Sequence, residues 1–513
     1  MVYYKLVFAA AFLPAVLLLY RIIPKKYRYL VLLLASAAFY STFSLGRMVY
    51  PVIAGLIAYA AALAMEKQAA KGKEGQKTKK RILILGIAAL LALLLNVKYT
   101  DFFLENLTAL SHLFGGEKSF GPVNPRLPLG ISFYTMQAIG YLADVYWKKI
   151  PAQKNPLKLC LFLLFFPTII QGPITPYTAV GETLFAGADI KAENLIRGYF
   201  RLGWGALKKL VVADRLYPAV AFLFADPGGK TGGEVVAAAV LFTLMEYMDF
   251  SGCIDMAIGC GQLFGITLPE NFKQPFLAKN ASEFWRRWHI SLGVWFKTYI
   301  FYPVSISGTA RKWMKYARGK KISPFATKMV ISAMALFPVW LCNGLWHGPK
   351  WTYIFYGLFY FVVILTELLL EPAGKKLLEK MKLTDQSPVV GILRILRTWI
   401  VIFVGELFFE ADSVRSGLVM FSKLFTAPGF GGFGERVRAW GLSGGDWIVA
   451  GLFLTLILGV NLLREKCGSV QDLLMKKKMP LRITLALLLG AAIMIFGLYG
   501  PGYTEVDMIY AGF

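Results

Sequence analysis

The chain has 513 residues and only three histidines. Two of them stand among residues that could perform acid–base chemistry on a hydroxyl. His289 lies in NASEFWRRWHISLGVWF, between tryptophans and arginines, and His347 lies in FPVWLCNGLWHGPKW. A neutral imidazole can take the proton of an attacking hydroxyl or thiol near neutral pH. For a histidine acting as general base on a hydroxyl or thiol, a thioester is the easiest acyl donor. No His-x-x-x-His or carboxylate–His spacing accompanies them, so no metal site is expected. A phosphate-cradling P-loop is also absent.

Read as one helix, Asn280–Tyr299 starts at Asn280, which can cap it while Glu283 reaches back. Trp285, Trp288, Leu292, Trp295 and Tyr299 then fall at steps of three and four and form an aromatic stripe, with His289 on its flank. One reading makes this an interfacial anchor, arginines at headgroup level and His289 half-buried; the other makes it the wall of a site. His347 shares a helix face with Asn343, four residues earlier. Gly344 and Gly348 leave room for a close backbone or a ligand, and Pro338 predicts a kink or break. An ionisable side chain in such a run is a functional candidate by default; the competing reading is a structural histidine bonded to a neighbouring helix.

The elements that must hold these residues are apolar. Hydrophobic residues make up 57% of the chain and charged ones 17%, and apolar runs near bilayer-spanning length recur throughout. This predicts an all-α polytopic membrane protein with about eleven spans plus re-entrant and interfacial pieces, not a β-barrel, whose strands would alternate. The net charge of +26 is carried mostly between the runs, where the positive-inside rule puts cytoplasmic loops. It points to topology and anionic lipid contact, and no nucleic-acid partner is expected. The five cysteines show no metal-ligand spacing and read as packing residues.

In order, spans are expected near 4–20, 29–45, 49–65 and 82–97, with a basic loop at 67–81 and an amphipathic piece at 99–114. Ser132, Gln137 and Asp144 mark the segment after Pro128 as facing protein interior. Leu159–Ile170 is short and stopped by QGPITP, the pattern of a re-entrant or broken helix. Gly198–Val212 is amphipathic, with Arg201, Lys208 and Lys209 expected near the interface. Residues 235–264 form one tilted span or a broken pair and hold Glu246, Asp249 and Asp255. Further spans follow near 329–345, 351–370, 392–409, 447–463 and 483–499. The N-terminal run lacks a cleavage pattern and reads as an uncleaved span. No internal repeat or soluble domain is visible.

Four stretches resemble the membrane-bound O-acyltransferase (MBOAT) family, in its bacterial alginate O-acetyltransferase and D-alanyl-teichoic-acid transfer branch. They are LPLGISFYTMQAIGYLADVY (127–146), FFPTIIQGPI (165–174), the stretch from MDFSG to WRRWHISLGVWF (248–296), and NGLWHGPKWTYIFYG (343–357). The C-terminal GPGYTEVDMIYAGF resembles the tail of that branch. The resemblance implies a ring of helices around a central tunnel in one membrane domain, 1–513. Within it, 1–126 would be N-terminal spans, 127–371 the core with both motif histidines, and 372–513 C-terminal spans.

By the same resemblance His347 is catalytic and His289 is the second motif histidine on the cytoplasmic side. Asn343, Trp346, Trp288, Arg287 and Trp285 would shape or orient the substrate site, and Asp249 and Asp255 are as readily structural. The chain departs from alginate-type relatives at Lys297 and Thr298, where an arginine–aspartate pair is more usual. The implied activity moves an acetyl group from cytoplasmic acetyl-CoA toward hydroxyls of an extracellular polysaccharide or wall polymer, with no bound cofactor. An extracytoplasmic SGNH-type or related transferase would be the partner. D-alanyl transfer from a carrier-protein thioester to teichoic acid is the alternative within the family. A transporter or flippase also needs many spans, but it predicts internal repeats and gives no reason for the two histidine motifs.

Overall fold

The computed structural model describes every residue except 1, 69–71, 126, 430, 501, 504 and 510–513. The stretch 500–513, which resembles the family tail, therefore lies partly outside the described residues. Among the described residues the regular structure is entirely helical. Eight helical segments are long and apolar enough to cross a bilayer. One of them, Lys25–Lys67, is itself two helices joined by the turn Leu45–Met48. The chain is a multi-pass membrane protein.

The N-terminal third comprises α1 (Phe8–Ile22), α2 (Arg28–Ser44), α3 (Val49–Lys67), α4 (Gly72–Lys98) and the amphipathic α5 (Thr100–Leu113). The basic segment expected as a loop over 67–81 is helical from Gly72, where α4 begins. Its lysines ride the first turns of a helix whose apolar part continues into the membrane. α6 (Ile131–Tyr146) is buried along almost its whole length, and packs against α3 and α4. That explains why it can carry Ser132, Gln137 and Asp144. The Pro156–Leu164 helix, α7, breaks at Phe165 (ψ 111°) and resumes as the single turn Phe166–Ile169. The short apolar run is thus a broken helix.

α8 (Ala192–Leu207) and α9 (Gly232–Leu263) form the tightest pair. A Cβ on Gly205 would lie 2.3 Å from Gly252 O, and one on Gly259 would lie 2.7 Å from Gly198 O. Small residues at these positions let two antiparallel backbones touch, the usual way apolar helices associate in lipid. α9 is a single unbroken helix, which resolves the alternative of a broken pair.

The expectation that Lys208 and Lys209 lie at the interface is corrected. A π-helical turn, Lys208–Ala213, follows α8 and carries both lysines inward, where they are 5% and 0% exposed. Lys208 pairs with Asp255 at 2.7 Å, and Lys209 with Asp249 at 2.6 Å and Asp214 at 2.9 Å. Buried ions in a membrane protein must be matched in this way. Asp249 and Asp255 therefore hold helices together.

The later elements that bear on the site include α10 (Ala281–Arg287), α11 (Ile290–Phe296), α12 (Pro324–His347), α13 (Trp351–Lys380), α14 (Pro388–Glu410), α15 (Gly444–Cys467) and α16 (Met479–Phe496). Of the kink or break expected at Pro338, the break is not present: α12 runs through it as one helix. α12 and α13 cross closely because Gly344 faces Tyr353 O, 2.3 Å from where a Cβ would sit, and Gly357 faces Trp340 O at 2.2 Å. The space beside Gly344 is thus filled by backbone.

Candidate active site

The expected helix Asn280–Tyr299 does not exist as one piece. Asn280 caps α10, its Oδ1 accepting from Glu283 N at 2.7 Å, but the helix ends at Arg287. Trp288 is extended, and His289 has φ +47°, a left-handed conformation. That conformation is costly for a non-glycine residue and persists only where surroundings enforce it. Here residues 271–273 enforce it. Asn271 O accepts from Ile290 N at 3.0 Å and Arg287 O accepts from Lys273 N at 2.8 Å. Asn271 Oδ1 accepts from Ser291 N at 2.8 Å, and its Nδ2 lies 3.3 Å from His289 Nδ1. The bend turns the imidazole into the protein. His289 is 1% exposed, so the half-buried interfacial reading does not describe it.

His347 ends α12, where Gly348–Pro349 stops the helix and leaves its last carbonyls without intrahelical donors. α4 and the residue after it supply two: Lys98 Nζ donates to Trp346 O at 2.7 Å and to Ser132 Oγ at 3.0 Å, and Tyr99 OH donates to Leu345 O. Trp346 then stands between the two histidines. Its ring is 5.3 Å from that of His289 and 4.9 Å from that of His347. Phe250 closes the His289 side at 4.7 Å. Phe409 and Tyr356 close the His347 side at 4.9 and 5.9 Å. Tyr356 OH in turn donates to the buried Glu406 at 2.9 Å. The structure thus gathers the two histidines, nearly 60 positions apart, into one buried aromatic cluster.

The other predicted residues fall into two groups. Asn343 lies one turn before His347, 4% exposed, with its Oδ1 buried and unbonded. Trp285 packs edge-on to Trp340 and Tyr360 at 5.1 and 4.9 Å, next to Tyr356. Trp288 and Arg287 are directed elsewhere. Trp288 sits in an aromatic nest of Phe272, Phe284 and Tyr247. Arg287 bonds Glu283 at 2.9 Å and Glu465 at 3.2 Å. Lys297 belongs to a π-helical turn, Lys297–Phe301, and its Nζ lies 5.5 Å from the Tyr302 ring centre.

Sequence reasoning missed Lys98, Asn271, Tyr356 and Glu406. A lysine closing an apolar run and a glutamate inside GELFFE were the available signals. A G-x-S-x-G pattern at 441–445 is a helix cap: Ser443 Oγ accepts from Asp446 N at 3.2 Å and bonds Asp446 Oδ2 at 2.7 Å.

Beyond His347 lies a cleft of about 680 Å³ lined by Phe102, Asn106, Lys350, Trp351, Asp412 and Arg415, among others. Trp351 Nε1 donates to Asn106 Oδ1 at 3.0 Å.

The profile of the membrane-bound O-acyltransferase family matches residues 32–317, more than half of the chain. The chain belongs to that family. Similarity to single proteins extends further, past His347. The probable alginate O-acetylase AlgI of Azotobacter vinelandii is 32% identical over 431 residues, covering 83% of this chain and 78% of the relative. The peptidoglycan O-acetyltransferase of Helicobacter pylori is 30% identical over 413 residues, 75% of this chain and 72% of that one. The teichoic acid D-alanyltransferase of Bacillus subtilis is 29% identical over 253 residues, 48% of this chain and 60% of the relative. This MBOAT protein is an O-acyltransferase.

Proposed function

We propose that the protein moves an acetyl group from cytoplasmic acetyl-CoA to hydroxyls of an extracellular polysaccharide or wall polymer, through an extracytoplasmic SGNH-type or related partner. The observation that carries this reading is the His289–Trp346–His347 cluster, buried and lined by aromatic rings. His347 takes the proton of the acceptor hydroxyl as its oxygen attacks the thioester carbonyl. The C–S bond breaks, the new ester forms, and the departing thiolate recovers a proton. Asn343 Oδ1, buried without a hydrogen-bond partner, is suited to orient a hydroxyl beside that imidazole. His289, held by Asn271, lies on the thioester side. The aromatic shell keeps water from competing for the acyl group.

The cleft beyond His347 suits the acceptor. Tryptophan and phenylalanine faces with asparagine, acidic and basic side chains can both stack on and bond a sugar or a partner's side chains. The broader coverage by O-acetylating relatives favours acetyl over D-alanyl transfer. The D-alanyl reading draws on the shorter match to the Bacillus subtilis protein.

The test uses purified protein in proteoliposomes with labelled acetyl-CoA inside and acceptor or partner outside. Wild type should cleave the thioester and pass label outward. Folded His347→Ala should lose at least about a thousandfold, the scale of general-base catalysis with orientation. Equal turnover in both would remove His347 from the chemistry. Turnover only with a D-alanyl carrier thioester would establish the second reading.

A further inference from the structure

A cleft of about 650 Å³ is lined by α8, α9, α15, α16 and the connecting residues Glu270 and Phe272. Its upper wall is aliphatic and aromatic, including Trp204, Phe453, Leu456, Leu488 and Leu489. Leu456 and Leu488 at its rim are 48% and 60% exposed. Both stand on bilayer-spanning helices, so this part of the cleft opens sideways into the membrane.

The lower end is charged. Arg201 and Arg464 share Glu270 Oε2 at 2.7 and 2.9 Å, while Arg201 and Lys208 share Asp255 at 2.6 and 2.7 Å. Three cations, Arg201, Lys208 and Arg464, thus face two carboxylates, Asp255 and Glu270. Arg201 and Lys208 are almost fully covered, with side chains 10% and 6% exposed, whereas Arg464 is 26% exposed. Burial pushes the Glu270 carboxyl up, but the neighbouring Arg201 charge outweighs it and holds the group below its ordinary value. By formal count the cations outnumber the carboxylates by one at the end of an apolar slot.

We propose that this cleft is a binding site for one anionic glycerophospholipid, its phosphate at Arg464 and one acyl chain along α16. A soluble anion would have no use for the apolar slot, and a zwitterionic lipid would not answer the surplus charge. The volume is in the range of small-molecule sites, so it takes the headgroup region and part of one chain, with the rest left in the bilayer. The lipid also accounts for α16, whose most apolar window has no buried residue: its inner face rests on the lipid as much as on protein.

The test is native mass spectrometry of the full chain released from nanodiscs containing equal phosphatidylglycerol and phosphatidylcholine. Wild type should retain one phosphatidylglycerol, with at least a fivefold preference over phosphatidylcholine. Arg464→Gln should erase the preference, and Ala492→Trp, which fills the slot from a lipid-facing helix, should lose the retained lipid. Retention in Ala492→Trp equal to wild type would overturn the proposal. So would displacement of the lipid by glycerol phosphate at millimolar concentration, which would make the cleft a soluble-anion site.

Discussion

His289 is strained by its left-handed backbone and restrained by Asn271. Replacing Asn271 by alanine removes the acceptor for Ser291 N and the amide beside the imidazole, leaving a buried donor unmet. The expected cost is about 1–3 kcal/mol of stability. The catalytic loss should be larger than a stability change of that size predicts, because the ring is released. Thermal unfolding measured alongside thioester turnover would separate the two; unchanged turnover would show that the imidazole needs no such hold. Trp288→Ala should behave differently, lowering stability by about 3–5 kcal/mol through its nest with Phe272 and Phe284. How much of this was readable depends on where each partner lies. The His347–Trp346–Asn343 group is local to one helix turn and was legible. The bend at His289 was not, because the aromatic spacing of 285–299 fits an unbroken helix. What breaks it is a hydrogen-bonded pairing with residues 271–273, which periodicity does not encode.

At the scale of elements, the helix contacts are set by glycines and buried ions. Gly344→Leu would drive a side chain into Tyr353 O and force α12 from α13. A loss of about 1–3 kcal/mol or more is expected, with His347 displaced and turnover lost; a thermal shift below one degree would contradict the close crossing. Lys209→Met leaves Asp249 and Asp214 facing each other without their cation. Breaking a buried pair from one side costs about 3–5 kcal/mol. The triple variant Lys209→Met, Asp249→Asn, Asp214→Asn should recover much of it, read by the fraction of monodisperse protein after detergent extraction. Periodicity put Lys208 and Lys209 near the membrane interface because an amphipathic count sees only its own helix. Their acids stand on α9 and in the Asp214–Ala225 helix, and the π-helical turn that carries both lysines inward has no signature in residue type.

For the whole molecule, the distribution of lysine and arginine predicts orientation. The basic helix Gly308–Gly319 and the start of α4 belong on the cytoplasmic side, and α5 outside. In a cysteine-free background, Lys315→Cys should react with a membrane-impermeant maleimide only in inverted vesicles. Glu105→Cys should react only in intact cells, and the reverse pattern would invert the direction of transfer. Class and repeated spans were legible from composition alone. The arrangement was not, since neighbours such as α8 and α9, or α4 and the end of α12, are chosen by glycine and charge matches across tens to hundreds of residues.

The Lys98–Trp346 bond bears on how the protein is made. Its two ends are separated by 248 residues, so the ribosome delivers the ammonium long before its acceptor. Of the partners described above, Ser132 Oγ is delivered early, and the carbonyls of 345 and 346 arrive with α12. The site carrying His347 is therefore closed only after α12 and then α14, which brings Phe409 and Glu406, have been made.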